Sequence, residues 1–242
     1  MFDAEGTPGL KEFLKQQWIS VWSKTASLTS SPSLCDSWFD RVYAQHNEQG
    51  RFYHTAVHLK EMLEYLEILQ QSGVVTQDQA VPMVWAIFFH DAVYDPKSSQ
   101  NEKDSAILFR DFSKEASLDS DLVEVVVTMI GATEKHQIIA MQGQAEMEVA
   151  QTFFLDLDMA VLGKKTGAYL AYAGLIRREY YFVEHETYCS KRAEVLQTFL
   201  DDSKTIYSSE VFKAAMEAQA RDNLMNEIGL LQTGIIPSNE PK

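Results

Sequence analysis

Residues 84–91 of this 242-residue chain have the sequence VWAIFFHD, in which an apolar run ends in two side chains that often bind metal ions. Burying an ionised aspartate is costly unless it is paired or coordinates a cation. Neutral imidazole is a common metal ligand. His90 and Asp91 therefore predict a metal site at a helix end. The alternative is a carboxylate that caps the helix or receives an ion pair beside a core histidine.

Two further pairs of potential ligands flank this stretch. His54 and His58 are four positions apart, so they share a face if one helix contains both. The other interpretation of this pair is surface or core packing. Asp156 and Asp158 lie in an apolar segment, and on a helix their side chains point about 200° apart. We expect one of these carboxylates to face a shared cavity and the other to face water or an arginine.

The composition predicts a protein with a sizeable core and no need of disulfides, since hydrophobic residues make up 45% of the chain. Cys35 and Cys189 are far apart and belong to no CxxC pair, which favours a reduced, cytoplasmic protein. The first residues do not have the pattern of a signal peptide. The longest apolar run, 81–89, is too short to span a bilayer.

The net charge of −14 argues against a nucleic-acid polymer or an anionic membrane as partner, because both require clustered Lys and Arg. The net charge does not exclude a small phosphorylated substrate, since cations near a binding site can outweigh the electrostatic field of distant acidic residues. The oligomeric state is also open, a homodimer included.

Apolar residues recur at helical spacing along nearly the whole chain, and hairpin signals are lacking, so we predict an all-α fold. The predicted helices cover residues 8–24, a segment beginning at 32, then 55–71, 76–92, 101–114, 120–135, 145–162, 166–200 and 209–231. Pro96 and neighbouring serines predict a loop at 94–99. No linker or repeat interrupts the pattern. We therefore expect one helical domain over residues 1–231 and a flexible tail over 232–242.

In order and setting, these motifs (H-x3-H, then HD, then D, each on a predicted helix) resemble the HD-domain phosphohydrolase superfamily. The segment RFYHTAVH at 51–58 is similar to the R-x-YHN-x-x-H motif of one bacterial branch, the predicted metal-dependent HD phosphohydrolases. Other similar segments are FHDAVYD (89–95), NExxSA (101–106), TxxH (133–136), DxDxxxLG (156–163), IRxEY (176–180) and RxxxLxxFL (192–200) followed by IY (206–207). The resemblance covers roughly residues 10–231 and implies a single-domain helical bundle of the HD type.

The resemblance also implies roles for individual residues. The implied metal ligands are His58, His90, Asp91, Asp158 and Asp156, with the last two as alternatives and Asp158 favoured. Similarity to the YHNxxH element of cyclic-nucleotide phosphodiesterases implies that His54 is the general acid for the leaving oxygen, although Thr55 stands where that element has Asn. Such a site would hold a divalent ion of Mn, Fe, Co, Ni or Zn, with Mg as a further candidate. One ion is expected, and a second stays open.

Several residues could surround the ion. Asp95 and Glu102 could orient the water or a second ion, while Glu102 is equally a first-turn charge favoured by the helix dipole. The candidates for binding substrate phosphate are Arg51, His136, Arg177 and Arg192. For the arginines the alternative is a surface ion pair, and for the histidine it is a second metal ligand or a solvent-facing position at a helix end.

The activity implied by the resemblance is hydrolysis of a phosphomonoester or phosphodiester of a small molecule, with a nucleotide favoured, by attack of metal-bound hydroxide. Two alternatives stay open. One is an HD-type di-iron oxygenase, which needs extra ligands from His136, Glu102 or Asp95. The other is a non-catalytic helical module that binds a metal or another ligand.

Overall fold

The computed structural model describes residues 9–27, 31–201 and 205–237. Every regular element in these ranges is a helix, which confirms the predicted all-α class. None of these helices combines the length and the apolar character that crossing a bilayer requires. The chain divides into two compact units, Met1–Phe154 and Leu155–Lys242.

Most of the helices described belong to the first unit. They are α1 (Leu10–Thr25), α2 (Pro32–Gln45), α3 (Ala56–Gln71), α4 (Gln77–Phe89), α5 (Asn101–Ala116), α6 (Ser120–Ala132) and α7 (Ala145–Asp158), whose last turn passes the unit boundary. Helix α4 is central, because it contacts α1, α3, α5 and α6. Its last residues, Trp85 to Phe89, are all buried. A helix that is apolar on all sides is expected at such a position.

An aromatic cluster fixes the end of α4. The ring of Trp18 in α1 lies with its centroid 4.9 Å from Trp85, 5.1 Å from Phe88 and 5.3 Å from Phe112. Tilted and edge-on rings at these separations pack favourably. His90 therefore follows directly after a tightly packed part of the core.

Three of the differences between observed and predicted helix ends in this unit bear on candidate site residues. Helix α3 begins at Ala56, because the Thr55 side chain accepts a hydrogen bond from Val57 N–H and acts as its N-cap. His54 therefore lies outside α3, so the condition under which it would share a helical face with His58 is not met. Helix α4 ends at Phe89 instead of 92. Helix α6 ends at Ala132 instead of 135, and a turn follows it.

The second unit contains a 3₁₀ segment (Met159–Gly163), α8 (Thr166–Glu179), α9 (His185–Phe199) and α10 (Glu210–Gln232). Helix α10 contacts all three of the other elements and forms the spine of this unit. The helix predicted for 145–162 is α-helical only to Asp158 and continues as the 3₁₀ segment.

The single helix predicted for 166–200 is wrong, because a turn separates α8 from α9. The Arg177 guanidinium donates hydrogen bonds to the carbonyls of Tyr180 (3.1 Å) and Val183 (2.9 Å) and closes this turn. Glu184 then caps α9 by accepting a hydrogen bond from Thr187 N–H. Apolar spacing runs through the turn without a glycine or proline, so the sequence pattern does not mark it.

The predicted tail, 232–242, is held to the second unit at its beginning. Gly234 N–H donates to the Leu231 carbonyl and Ile235 N–H to the Leu230 carbonyl, both at 2.9 Å. The Nε2 of His185 lies 2.9 Å from the Gly234 carbonyl. Residues 238–242 of this tail, and residue 8 at the start of the first predicted helix, lie outside the described residues.

Gly163 offers a test of packing in the second unit. A Cβ at this position would lie 2.5 Å from Met216 Cβ and 2.8 Å from the Tyr207 hydroxyl. We expect Gly163→Ala to lower the free energy of unfolding by about 1–3 kcal/mol, the usual cost of overpacking. Urea titration measures this change.

The matched control is Gly229→Ala in α10, because a Cβ at Gly229 meets no atom within 4 Å. Alanine in a helix interior is favoured over glycine by about 0.5–1 kcal/mol. Gly229→Ala should therefore be neutral or stabilising, and equal losses in the two variants would contradict the packing described at Gly163.

Candidate metal centre

His90 presents one defined nitrogen to its surroundings. It caps α4, with its backbone N–H donating to the Ala86 carbonyl at 2.8 Å, and its ring is buried. Ring Nδ1 lies 3.0 Å from the Ile87 carbonyl oxygen. Because a carbonyl can only accept, Nδ1 carries a proton, and in the neutral ring Nε2 therefore carries the lone pair. Histidines that bind metals are usually oriented by such a bond from their other nitrogen.

Asp91 directs a carboxylate oxygen at that lone pair. Its Oδ2 lies 3.1 Å from His90 Nε2. In a protonated ring this contact would be an ion pair, whereas in the neutral ring the lone pair and the carboxylate oxygen repel each other unless a cation lies between them. Two neighbouring ligands about 2.1 Å from one ion are separated by roughly 3 Å, which matches this contact. The two adjacent residues can converge because Asp91 lies beyond the end of α4.

His58 brings a second imidazole to the same place. It lies in the first turn of α3 and is buried. Its ring centroid is 5.5 Å from that of His90, and the potential ligand nitrogens of the two rings lie within 4.8 Å of each other. The first unit therefore holds a pair of buried histidines that could bind a metal ion.

His54 lies beside this pair, on the segment that leads into α3. Its ring is half-buried and packs against Tyr94, with centroids 4.4 Å apart. The centroid of His58 is 6.3 Å away. The two histidines are therefore neighbours in space, although they do not share a helical face.

Arg51 holds the backbone around the pair. Its guanidinium donates to the carbonyls of Asp91 (2.6 Å), Ala92 (2.9 Å) and His54 (3.3 Å). The side chain is buried and stacks over Tyr94, 5.3 Å from the ring centroid. These contacts give Arg51 a role in fixing the ends of two segments, whereas its predicted contact with substrate phosphate stays a prediction.

Sequence reasoning missed His46. This residue is fully buried, and its Nε2 lies 3.1 Å from the Phe88 carbonyl, to which it must donate. Burial, with the charge of Arg51 next in effect, lowers the pKa of His46 to about 3. His46 belongs to no ligand motif, so the only signal in the sequence is a histidine at the end of a predicted helix.

The two acidic candidates of the second unit differ in their partners. Asp156 is buried, and its two carboxylate oxygens accept the backbone N–H groups of Ser208 (2.7 Å) and Ser209 (2.8 Å). Burial raises the pKa of Asp156, while the hydrogen bonds from Ser209 and Ser208 act in the opposite direction. Asp156 thus anchors the chain that enters α10. Asp158, the last residue of α7, is only half-buried.

The three other acid, base or ligand candidates lie in the first unit. Asp95 is exposed, and it organises a turn by accepting a hydrogen bond from Lys97 N–H at 2.9 Å. Glu102 lies in the first turn of α5, and His136 follows α6 with a φ of 47°. Within the part of the chain that the structure describes, none of the three joins a set of three potential ligands.

The remaining two phosphate-binding candidates have partners inside the second unit. Arg177 closes the turn between α8 and α9. Arg192 forms an ion pair with the buried Glu227 (Nε to Oε1, 3.0 Å), whose other carboxylate oxygen accepts a hydrogen bond from the Tyr169 hydroxyl. Burial and the charge of Glu227 raise the pKa of Tyr169. The contacts of Arg177 and Arg192 with substrate phosphate stay predictions.

His46 makes a measurable contribution to pH dependence. Its pKa is about 3 in the folded protein and near 6.5 in the unfolded chain, so the unfolded state binds more protons between these values. The stability that neutral His46 contributes is complete above about pH 6.5 and is lost as the pH falls through that window. At about 1.36 kcal/mol per pH unit, the loss over the whole window is on the order of 5 kcal/mol.

We expect the free energy of unfolding of His46→Gln to fall less steeply than that of the original protein between about pH 7 and 5, because glutamine does not titrate. Urea titrations at several pH values provide the two slopes. Parallel slopes would show that His46 is not buried in its neutral form.

No family model matches this chain, and neither a curated protein nor a solved structure matches it. The resemblance to HD enzymes therefore rests on the sequence motifs alone.

Proposed function

We propose that this protein is a metal-dependent phosphohydrolase that acts on a phosphomonoester or phosphodiester of a small molecule, with nucleotides as the first substrates to test. The observation that carries the proposal is the arrangement around His90. Its Nδ1–H is committed to the Ile87 carbonyl, its Nε2 faces the Asp91 carboxylate, and a second buried imidazole lies beside it. This donor set suits a cation.

The residues that would hold the ion are His58, His90 and Asp91, with Asp158 as the fourth ligand. Asp158 is preferred to Asp156 because both oxygens of Asp156 already accept backbone hydrogen bonds. Mixed nitrogen and oxygen ligation suits Mn, Fe, Co, Ni or Zn, and Mg is a further candidate. We propose one ion.

A divalent cation in this site would lower the pKa of a water ligand and offset negative charge on phosphoryl oxygens. His54 would donate a proton to the leaving oxygen. Its ring lies next to the proposed ligand His58, so it would be close to a phosphoester bound at the ion. Packing on Tyr94 holds the ring in that position. Arg51 would keep the Asp91 carboxylate in place through the Asp91 carbonyl.

The di-iron oxygenase gains no support from the positions of its extra ligands. It would need Asp95, Glu102 or His136 close to the histidine pair, yet in the described ranges none of them belongs to a potential ligand set. A non-catalytic metal-binding module differs from our proposal in one measurable respect, which is turnover.

The first prediction separates metal binding from catalysis. His58→Ala and His90→Ala should each lose bound metal, whereas His54→Ala should retain the metal and lose about 10²–10⁴-fold in rate, the range of general acid catalysis. Elemental analysis and hydrolysis of a nucleotide panel and p-nitrophenyl phosphate measure both properties.

A metal-free His54→Ala protein would reverse the roles of His54 and His58. Metal-loaded protein that hydrolyses no phosphoester, and in which His54→Ala changes nothing, would leave the non-catalytic module as the function.

A second prediction compares the two acids of the segment 156–158. Asp156→Asn should lower the free energy of unfolding by about 1–3 kcal/mol, because an amide cannot accept both backbone N–H groups. Asp158→Asn should lower the free energy of unfolding less than Asp156→Asn does, because Asp158 is only half-buried, and it should lose metal affinity. Thermal unfolding and calorimetric titration with Zn²⁺ or Co²⁺ provide the two readouts. The opposite pattern would make Asp156 the ligand.

A further inference from the structure

His46 joins two helix ends through its backbone. Its N–H donates to the Val42 carbonyl at 3.2 Å and closes α2, and its carbonyl accepts the N–H of Ala56, also at 3.2 Å, at the start of α3. Helix ends leave such groups without partners inside their own helix. His58 lies two residues after Ala56, so this contact fixes the turn that carries the first imidazole of the pair.

The ring of His46 reaches a third helix end. It donates from Nε2 to the Phe88 carbonyl near the end of α4. In a continuing helix Ala92 N–H would donate to that carbonyl, but it donates to Phe89 instead, at 3.1 Å. The next carbonyl toward the amino terminus, that of Ile87, accepts from His90 Nδ1. The two histidine rings therefore bind adjacent carbonyls of the same helix turn.

The ring of His46 is fully buried, and its Nε2 carries the proton that the Phe88 carbonyl accepts. Its Nδ1 has no hydrogen-bond partner among the described residues. The hydrogen bond to Phe88 is thus the polar contact that the described chain provides for this ring.

We infer that His46 is a positioning residue, which holds the last turn of α4 so that His90 keeps its proton on Nδ1 and presents Nε2 to a cation. Arg51 binds the two following carbonyls, those of Asp91 and Ala92. Together they fix the peptides on both sides of His90. The consequence for metal affinity rests on the proposed function, whereas the consequence for the His90 ring is a property of the metal-free protein.

The decisive experiment detects the ring nitrogens of metal-free protein by ¹⁵N NMR, with the signals of His90 assigned by their loss in His90→Gln. We expect a single Nδ1–H tautomer for His90 in the original protein and a mixture of tautomers in His46→Leu. His46→Gln should keep the single tautomer, because its amide can donate to Phe88 from nearly the same position. An unchanged His90 ring in His46→Leu would overturn the inference.

If His46→Leu does not fold, His46→Asn replaces it, since its shorter amide does not reach the Phe88 carbonyl. The matched control is Val126→Ala in α6, a buried residue whose apolar side chain makes no hydrogen bond. It should lose stability without altering the His90 tautomer. A mixture of tautomers in this control would show that the ring responds to any loss of stability, which also overturns the inference.

Titration with Co²⁺ measures the second consequence. His46→Leu should bind about 10–100-fold more weakly, the usual effect of losing a group that orients a metal ligand. His46→Gln should restore most of the affinity, and Val126→Ala should retain it. If the original protein binds no Co²⁺, Zn²⁺ or Mn²⁺, the proposed function fails while the NMR result still decides the role of His46. If it binds Co²⁺ and His46→Leu binds equally well, the metal site stands and the positioning role does not.

Discussion

The hydrogen bond from His90 Nδ1–H to the Ile87 carbonyl leaves Nε2 as the ring nitrogen that is available to a metal ion. The ring is almost completely buried. It exists because α4 ends inside the core, where its last carbonyls cannot turn to water. Each of them needs a protein donor, since a buried carbonyl without one costs about 1–3 kcal/mol. His90 Nδ1–H donates to the Ile87 carbonyl, His46 to the Phe88 carbonyl and Ala92 N–H to the Phe89 carbonyl. Arg51 binds the carbonyls of Asp91 and Ala92, just beyond the helix. The orientation of His90 in the candidate site thus follows from the hydrogen bonds that the buried carboxyl end of α4 requires.

The arginines illustrate how the same chemistry can be used for structure. A guanidinium has several donors in a fixed plane, which suits carbonyls at a chain turn as well as it suits phosphate. Arg51 and Arg177 both bind pairs of carbonyls just beyond helix ends. Arg192 neutralises the buried Glu227, which would be costly to bury alone.

Sequence patterns were sufficient where the physical cause is local. Apolar spacing predicts the helices, and the apolar run before His90 predicts a ligand candidate at a buried helix end. Patterns of apolar spacing fail where the cause is a hydrogen bond made by one particular side chain. The turn between α8 and α9 depends on a guanidinium bridging two carbonyls, and His46 meets its acceptor 42 residues away. His54 lies outside α3 because the side chain of Thr55, the next residue, is the N-cap of that helix.

The helix dipole acts on the acidic ligand candidate Asp91. Asp91 follows the carboxyl end of α4. The dipole places roughly half a negative charge at that end, so this position disfavours a carboxylate and favours a cation. Neutral imidazoles add lone pairs and no positive charge. An anionic phosphoester would therefore be repelled by this helix end and its carboxylate alone. It follows from our proposal that the metal ion must bind before the substrate, because the ion is what reverses the sign of the local field.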